Sequence, residues 1–396
     1  KMHKLKLIDY DIQKNIFNIL LFLWVISIPF KNALFQISLV SIILFFLIYI
    51  IKNKDYNYFK MLLYKYKDLL VLSILLLLCM TISNYINYIN DISNKKGWID
   101  QINYLYRYIF IFIILIYFYS KNFFSEKTLI FFILIALSIQ AFDGVFQSIF
   151  GHDLFKNIIG SFTLGLTGAT SNRNTFGFFM GLGVVITAFL ISKNTIYKKQ
   201  NFILIFLFIL FIYCTLFSYT RTTWLSLSIV FLLYVILNLK DIKLKYIIYF
   251  LIFLFILCLL FFNINTLNRR FTLFLEGYSS NRYEIWLHAL KLIEQKLIFG
   301  WGLDSWKIVG LKSYSGTHNS ILEILLYLGV FGLVIYTVLV YFILKEIYFY
   351  KQLTLAYIFV FLLISTQFGE SITSGKTFLS TSVIFMFFVF RRRVKE

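Results

Sequence analysis

Apolar runs long enough to cross a bilayer as helices recur along this chain, and the connections between them alternate between basic and poorly charged. A crossing takes about 20 apolar residues. The runs fall near residues 15–30, 33–51, 68–86, 102–120, 128–150, 172–192, 202–219, 222–239, 246–265, 319–343, 353–369 and 377–390. Hydrocarbon offers no water to unpaired backbone groups, so each run must close its own hydrogen bonds as a helix. The expectation is an all-α polytopic membrane protein of about twelve transmembrane helices, forming a single integral membrane domain over residues 1–396. Composition agrees: 60% of the residues are hydrophobic and 14% charged, whereas soluble domains carry about a quarter charged residues.

The basic residues cluster in every second connection. Lys1, Lys4, Lys6 and Lys14 precede the first run; Lys52, Lys54, Lys60, Lys65 and Lys67 follow the second; Lys121 and Lys127, Lys193, Lys198 and Lys199, Lys240, Lys243 and Lys245, Lys345 and Lys351, and Arg391, Arg392, Arg393 and Lys395 continue the pattern. By the positive-inside rule both termini are expected on the cytoplasmic side. The net charge of +20 would suggest nucleic acid in a soluble chain. Distributed this way it fits inside loops and anionic headgroups, so membrane lipids are the expected partners and nucleic acid is not. Cys79, Cys214 and Cys258 each lie within an apolar run, without CxxC or metal-like spacing, and read as small hydrophobes. The first run follows a basic start as in a signal peptide, but no small-x-small cleavage site follows it, so a retained span is expected.

One extracytoplasmic connection breaks the trend. Residues 266–318, between spans nine and ten, carry Arg269, Arg270, Arg282, Lys291, Lys296, Lys307 and Lys312. Within this loop Trp286, Leu290, Ile293 and Leu297 follow helical spacing, with Glu284, His288, Lys291 and Gln295 on another face. That pattern predicts an amphipathic helix at the membrane surface. Asn281 with Glu284 resembles a capping box, placing Arg282 in the first turn, and Gly300-Trp301-Gly302 ends the helix.

Four helix starts on that side carry polar groups: Ser171-Asn172-Arg173-Asn174, Thr220-Arg221-Thr222, Asn281-Arg282-Tyr283-Glu284 and Thr317-His318-Asn319. A helix start presents unpaired N–H donors and the positive end of the macrodipole, so an arginine there is electrostatically misplaced unless an anion joins it. Arg221 and Arg282 are the leading candidates for holding a phosphate or pyrophosphate. Arg173, Asn174, Arg269, Arg270 and Asn319 are candidate substrate contacts, although the ordinary role of Arg173, Arg269 and Arg270 is to anchor at headgroups. The dipole at the start of span ten favours neutral imidazole at His318, the form a general base needs. Glu323, one turn further, is an intramembrane acid; Arg107 can reach the same vestibule as these groups or snorkel to the interface, and snorkelling is the favoured expectation. Asp9-Tyr10-Asp11 spells the DxD of metal-dependent glycosyltransferases but lies on the opposite side. Neither a metal cage nor an organic cofactor is expected.

Three segments in order, Ser218-Tyr219-Thr220-Arg221-Thr222-Thr223-Trp224, Ser280-Asn281-Arg282-Tyr283-Glu284-Ile285-Trp286 with Phe299-Gly300-Trp301-Gly302, and Thr317-His318-Asn319-Ser320 with Leu328-Gly329-Val330-Phe331-Gly332-Leu333, resemble the O-antigen ligase and polymerase superfamily over roughly residues 202–345. The resemblance implies a C-type membrane glycosyltransferase of the bacterial inner membrane, acting on its periplasmic face. The donor it implies is a glycan on undecaprenyl pyrophosphate, gripped by Arg221 and Arg282. His318 would serve the acceptor, a lipid A core sugar or another glycan, in an inverting, metal-independent transfer. An O-antigen ligase is the favoured expectation. A repeat-unit polymerase and a non-enzymatic lipid-linked oligosaccharide flippase are the alternatives, the last disfavoured because transporters place polar breaks at the midplane of repeated halves.

Overall fold

The computed structural model describes residues 2–30, 32–89, 95–160, 165–192, 198–238, 272, 281–314, 316–368 and 376–395. These are helical apart from short connections, with no β-strand among the described residues. The expected span at 246–265, with Arg269 and Arg270 after it, lies outside them. In chain order the helices are α1 (Met2–Ser27), α2 (Asn32–Asn53), α3 (Tyr56–Lys65), α4 (Lys67–Ile89), α5 (Lys95–Tyr104), a π-helical segment (Leu105–Phe110), α6 (Ile111–Ser120), α7 (Glu126–Phe150) and α8 (Arg173–Ser192). They continue as α9 (Lys198–Phe217), α10 (Arg221–Leu237), α11 (Arg282–Gln295), α12 (Trp306–Val309), α13 (Ser320–Phe349), α14 (Leu353–Phe368) and α15 (Lys376–Phe390), closed by a 3-10 turn, Arg391–Lys395. Six described helices are long and apolar enough to cross a membrane: Ala33–Asn53, Lys67–Ile89, Lys95–Ser120, Glu126–Phe150, Arg173–Ser192 and Ser320–Phe349. Asn201–Phe217, Arg221–Leu237 and Leu353–Gln367 are apolar but shorter. The chain divides into two compact units, one of Lys1–Ala136, Ile285–Leu355 and Glu370–Glu396, the other of Leu137–Glu284 and Ala356–Gly369.

In the first unit, the sole proline of the chain, Pro29, stands just beyond α1, where a missing N–H and a fixed φ do no harm to a helix. An aromatic cluster then holds α1 to α6 and the turn after it, with Phe17 and Phe118 ring centroids 4.1 Å apart and Phe118 and Phe123 4.8 Å apart. The basic connections are tied down by acids. Arg393 bonds Asp68 at 2.9 Å and Glu346 at 2.8 Å, Arg391 meets Glu126 at 2.8 Å, and Lys121 meets Asp55 at 2.5 Å.

Helix α13 is broken inside its apolar run. Gly329 adopts φ 64° and ψ −163°, and a Cβ there would lie 2.2 Å from the Ile298 carbonyl oxygen. Breaking the helix releases carbonyls that hydrocarbon cannot satisfy, and the loop after α11 supplies the donors. Trp301 N–H donates to the Leu326 carbonyl at 2.7 Å, Gly302 N–H to Tyr327 at 3.0 Å, and Val330 N–H donates back to Leu297 at 2.9 Å. Gly300 and Gly302, at φ 68° and 82°, let the loop lie this close. The Gly-Trp-Gly and Leu-Gly-Val-Phe-Gly segments are therefore two halves of one backbone joint.

In the second unit, glycines bring α8 against its neighbours. A Cβ at Gly181 would lie 2.4 Å from the Thr223 methyl, and one at Gly183 would meet the Phe211 ring at 2.8 Å. Small residues permit such approach where lipid gives no hydrophobic drive for helix association. Described residues of the connection from α7 to α8 are held by a polar side chain near the end of α7. Gln147 accepts from the Thr167 and Gly168 N–H groups at 2.8 and 3.0 Å and donates to the Ile158 carbonyl at 3.1 Å. Asp153 accepts from the N–H groups of Phe155, Lys156 and Ile158, so it serves as the turn's anchor.

Candidate functional site

The turn Ser218-Tyr219-Thr220 makes the second unit's polar end. Tyr219 sits at φ 55°, a region costly for most side chains, and the reversal it makes leaves Thr220 extended as the residue before α10. Thr220 then donates its hydroxyl to the Arg173 carbonyl at 2.8 Å, and Ser218 donates to the Thr220 hydroxyl at 3.1 Å. A Cβ at Gly177 would lie 2.5 Å from Thr220 Oγ1 and 2.7 Å from Ser218 Oγ, so only glycine allows this contact. The first turns of α8 and α10 are thereby fastened together.

Arg173 and Arg221 are the first residues of their helices. Ser171 at φ 65° reverses the chain, and the Asn172 side chain accepts from Asn174 N–H at 2.8 Å, capping α8. Arg282 opens α11 as the sequence predicts, entered through Asn281 at φ 61°. Burial, and then the charge of Arg221, lower the proton affinity of Arg282 below the ordinary guanidinium range. Two guanidinium groups within electrostatic reach, each beside a helix N-terminus, oppose one another unless negative charge lies between them. Arg173, Asn174, Arg221 and Arg282 all belong to the second unit.

His318 and Asn319 belong to the first unit. His318, at φ 51°, precedes the cap of α13. Asn319 accepts from Leu322 N–H at 3.0 Å, so its side-chain oxygen is engaged as the cap. Thr317 is buried; its hydroxyl donates to the Asn319 carbonyl at 3.0 Å, and its own carbonyl accepts from the Trp286 indole at 3.1 Å. The amphipathic helix α11 thus clamps the His318 turn through Trp286. Glu323 is buried in the first turn of α13.

Other sequence candidates have different surroundings. His288, expected on a solvated face, lies 3.3 Å from the Val309 carbonyl and packs edge-on against Trp306. Asp304 is held by Lys96 at 3.3 Å and Lys307 at 3.1 Å. Arg107 does not snorkel: it is 8% exposed, held by the Tyr106 hydroxyl at 3.2 Å. Among the described residues no three His, Cys, Asp or Glu side chains gather as a metal site. What sequence reasoning missed is the positioning role of Gln147, Thr220 and Gly177. A run of hydroxyls before Arg221 was visible, but nothing in it named Arg173 as the partner.

The fold defines a multi-pass helical membrane protein in which Arg173, Arg221 and Arg282 each open a helix. An O-antigen ligase family model matches residues 206–337, about a third of the chain, and that segment contains Arg221, Arg282 and His318. The match supports the O-antigen ligase and polymerase superfamily, whose members are membrane glycosyltransferase-like. No curated protein matches the chain significantly.

Proposed function

We propose that the protein is an O-antigen ligase, transferring a glycan from undecaprenyl pyrophosphate to a sugar hydroxyl of a lipid A core on the periplasmic face of the inner membrane. The observation that carries this reading is that Arg221 and Arg282 each open a helix, α10 and α11, inside the segment that matches the family. Two forked cations beside helix N-termini suit a diphosphate.

In the proposed reaction the acceptor oxygen attacks the anomeric carbon as the bond from that carbon to the pyrophosphate oxygen breaks, inverting the centre. The bonding pair leaves with the pyrophosphate, and Arg221 and Arg282 stabilise its growing charge. His318 takes the proton from the acceptor hydroxyl. Base catalysis of this kind contributes about a hundred- to ten-thousand-fold. Arg173 and Asn174 would contact the donor, and Asn319 would hold the His318 turn. Arg269 and Arg270, outside the described residues, are proposed contacts on sequence grounds. The reading calls for neither metal nor organic cofactor. The distribution of lysine and arginine supports cytoplasmic termini.

The deciding experiment compares lipopolysaccharide and undecaprenyl-linked glycans in a strain lacking the protein. Full-length glycan stranded on the carrier is the expected result. Single repeats on core or carrier would instead identify a polymerase, and glycan retained on the cytoplasmic leaflet a flippase. In a membrane assay His318→Ala is expected to lose transfer while retaining donor binding; near-normal transfer would remove His318 from the role of base.

A further inference from the structure

The first unit contains a buried cation that the proposed transfer does not use, Arg107. Arg107 lies about 18 Å along the span from Lys95 at 1.5 Å per residue, within the apolar helix Lys95–Ser120. It is 8% exposed. Among the described residues no carboxylate pairs with it. Its Nε donates to the Tyr106 hydroxyl at 3.2 Å, and its guanidinium carbon stands 5.5 Å and 5.4 Å from the Phe35 and Tyr106 ring centroids. A guanidinium has five N–H donors, so one hydrogen bond and two ring faces leave most of its capacity unused.

The partner has nothing more to give. The Tyr106 hydroxyl lies 2.7 Å from Asn103 Oδ1 and 3.1 Å from Gln36 Oε1, and its single hydrogen is committed to these acceptors. Asn103 in turn donates to Asp100 Oδ1 at 3.2 Å. The acid that the network reaches is therefore two side chains removed from Arg107. A permanent cation at membrane depth is costly without a counter-charge, and aromatic faces offset only part of that cost.

The backbone gives an independent sign. Residues Leu105–Phe110 are π-helical within an otherwise α-helical span. Such widened turns are uncommon and concentrate at functional sites. Here the widened turn carries Arg107 at its centre, with Tyr106 linked to Gln36 of α2.

We propose that Arg107, with Tyr106, Asn103 and Gln36, forms a subsite for the oxyanion head, a phosphate or carboxylate, of a membrane amphiphile. The guanidinium fork matches such a head bidentately, and the amide groups of Gln36 and Asn103 can bond its remaining oxygens. An amphiphile is favoured over a free ion because either head must leave water to reach this apolar span, and only an amphiphile adds the burial of a tail that offsets the cost. The subsite stands independently of the Arg221 and Arg282 pair.

The test measures phosphatidic acid binding to the purified full-length protein by native mass spectrometry, with inorganic phosphate alone as a second arm. Arg107→Gln is expected to lower phosphatidic acid affinity by about tenfold or more, as loss of a charged hydrogen-bond partner does. The same fall is expected in an Arg221→Gln/Arg282→Gln background, which separates this subsite from the diphosphate cradle. Arg107→Lys, which keeps the charge but loses the fork, is expected to fall between wild type and Arg107→Gln. Unchanged binding in folded Arg107→Gln or Arg107→Lys protein, monitored by thermal unfolding, overturns the subsite. Equal, Arg107-dependent binding of inorganic phosphate overturns its assignment to an amphiphile.

Discussion

The Thr220 hydroxyl donates to the Arg173 carbonyl at 2.8 Å, fastening the first turn of α10 to the first turn of α8. Arg173 and Arg221 begin those two helices. A side-chain hydroxyl and a backbone carbonyl thus set the spacing of two cations 48 residues apart in sequence (221 − 173), and the energetic consequences of that joint can be measured.

Thr220→Val removes the donor while keeping the shape, and Thr220 is buried. The expected loss of stability is about 1 kcal/mol, since the part-buried Arg173 carbonyl loses its hydroxyl partner. Affinity for inorganic pyrophosphate, measured by calorimetry, is expected to fall by about tenfold if the joint holds the cradle.

Gly177→Ala forces a methyl to within 2.5 Å of Thr220 Oγ1. Gly183→Ala, which meets the Phe211 ring at 2.8 Å, is the packing control. Both are expected to destabilise by about 1 to 3 kcal/mol through overpacking. Only Gly177→Ala is expected to weaken pyrophosphate binding; equal effects of the two would detach the glycine from the site.

Arg282→Gln relieves both burial of a charge and repulsion by Arg221, the two causes that lower its proton affinity. Transfer is expected to be lost. Pyrophosphate at a hundred times its dissociation constant should stabilise the wild type by about 2.7 kcal/mol and the variant far less. Stabilisation of both to the same degree would separate Arg282 from anion binding.

Arg393→Met strands Asp68 and Glu346, with which the guanidinium makes contacts of 2.9 and 2.8 Å. The expected cost is about 3 kcal/mol, the lower end for breaking a buried pair, because Asp68 is 30% exposed. Denaturant or thermal unfolding reads it directly, and an unchanged midpoint would show that the 3-10 turn is dispensable for stability.

Gly329→Ala places a Cβ 2.2 Å from the Ile298 carbonyl at φ 64°. Backbone strain and the clash together are expected to cost more than about 3 kcal/mol. The loss should appear as unfolding of the α13 joint, read by hydrogen exchange at Trp301, Gly302 and Val330.

The sequence by itself determined the helical membrane class, because apolar length and basic alternation are local quantities that lipid enforces on each segment separately. It also determined the helix starts at Arg173, Arg221 and Arg282, since hydroxyl and amide residues before an apolar run announce where unpaired N–H groups need partners. Tertiary structure decided what those starts touch. The Thr220 bond to Arg173 and the seating of the Gly-Trp-Gly loop on the carbonyls freed at Gly329 join residues distant in sequence through single atoms. Arg107 marks the boundary most plainly: its spacing predicted a side chain reaching for water, and a hydroxyl on the preceding residue with an aromatic face on another helix held it inside instead. Periodicity reports which face a residue occupies, whereas the partner waiting there is set only when helices pack.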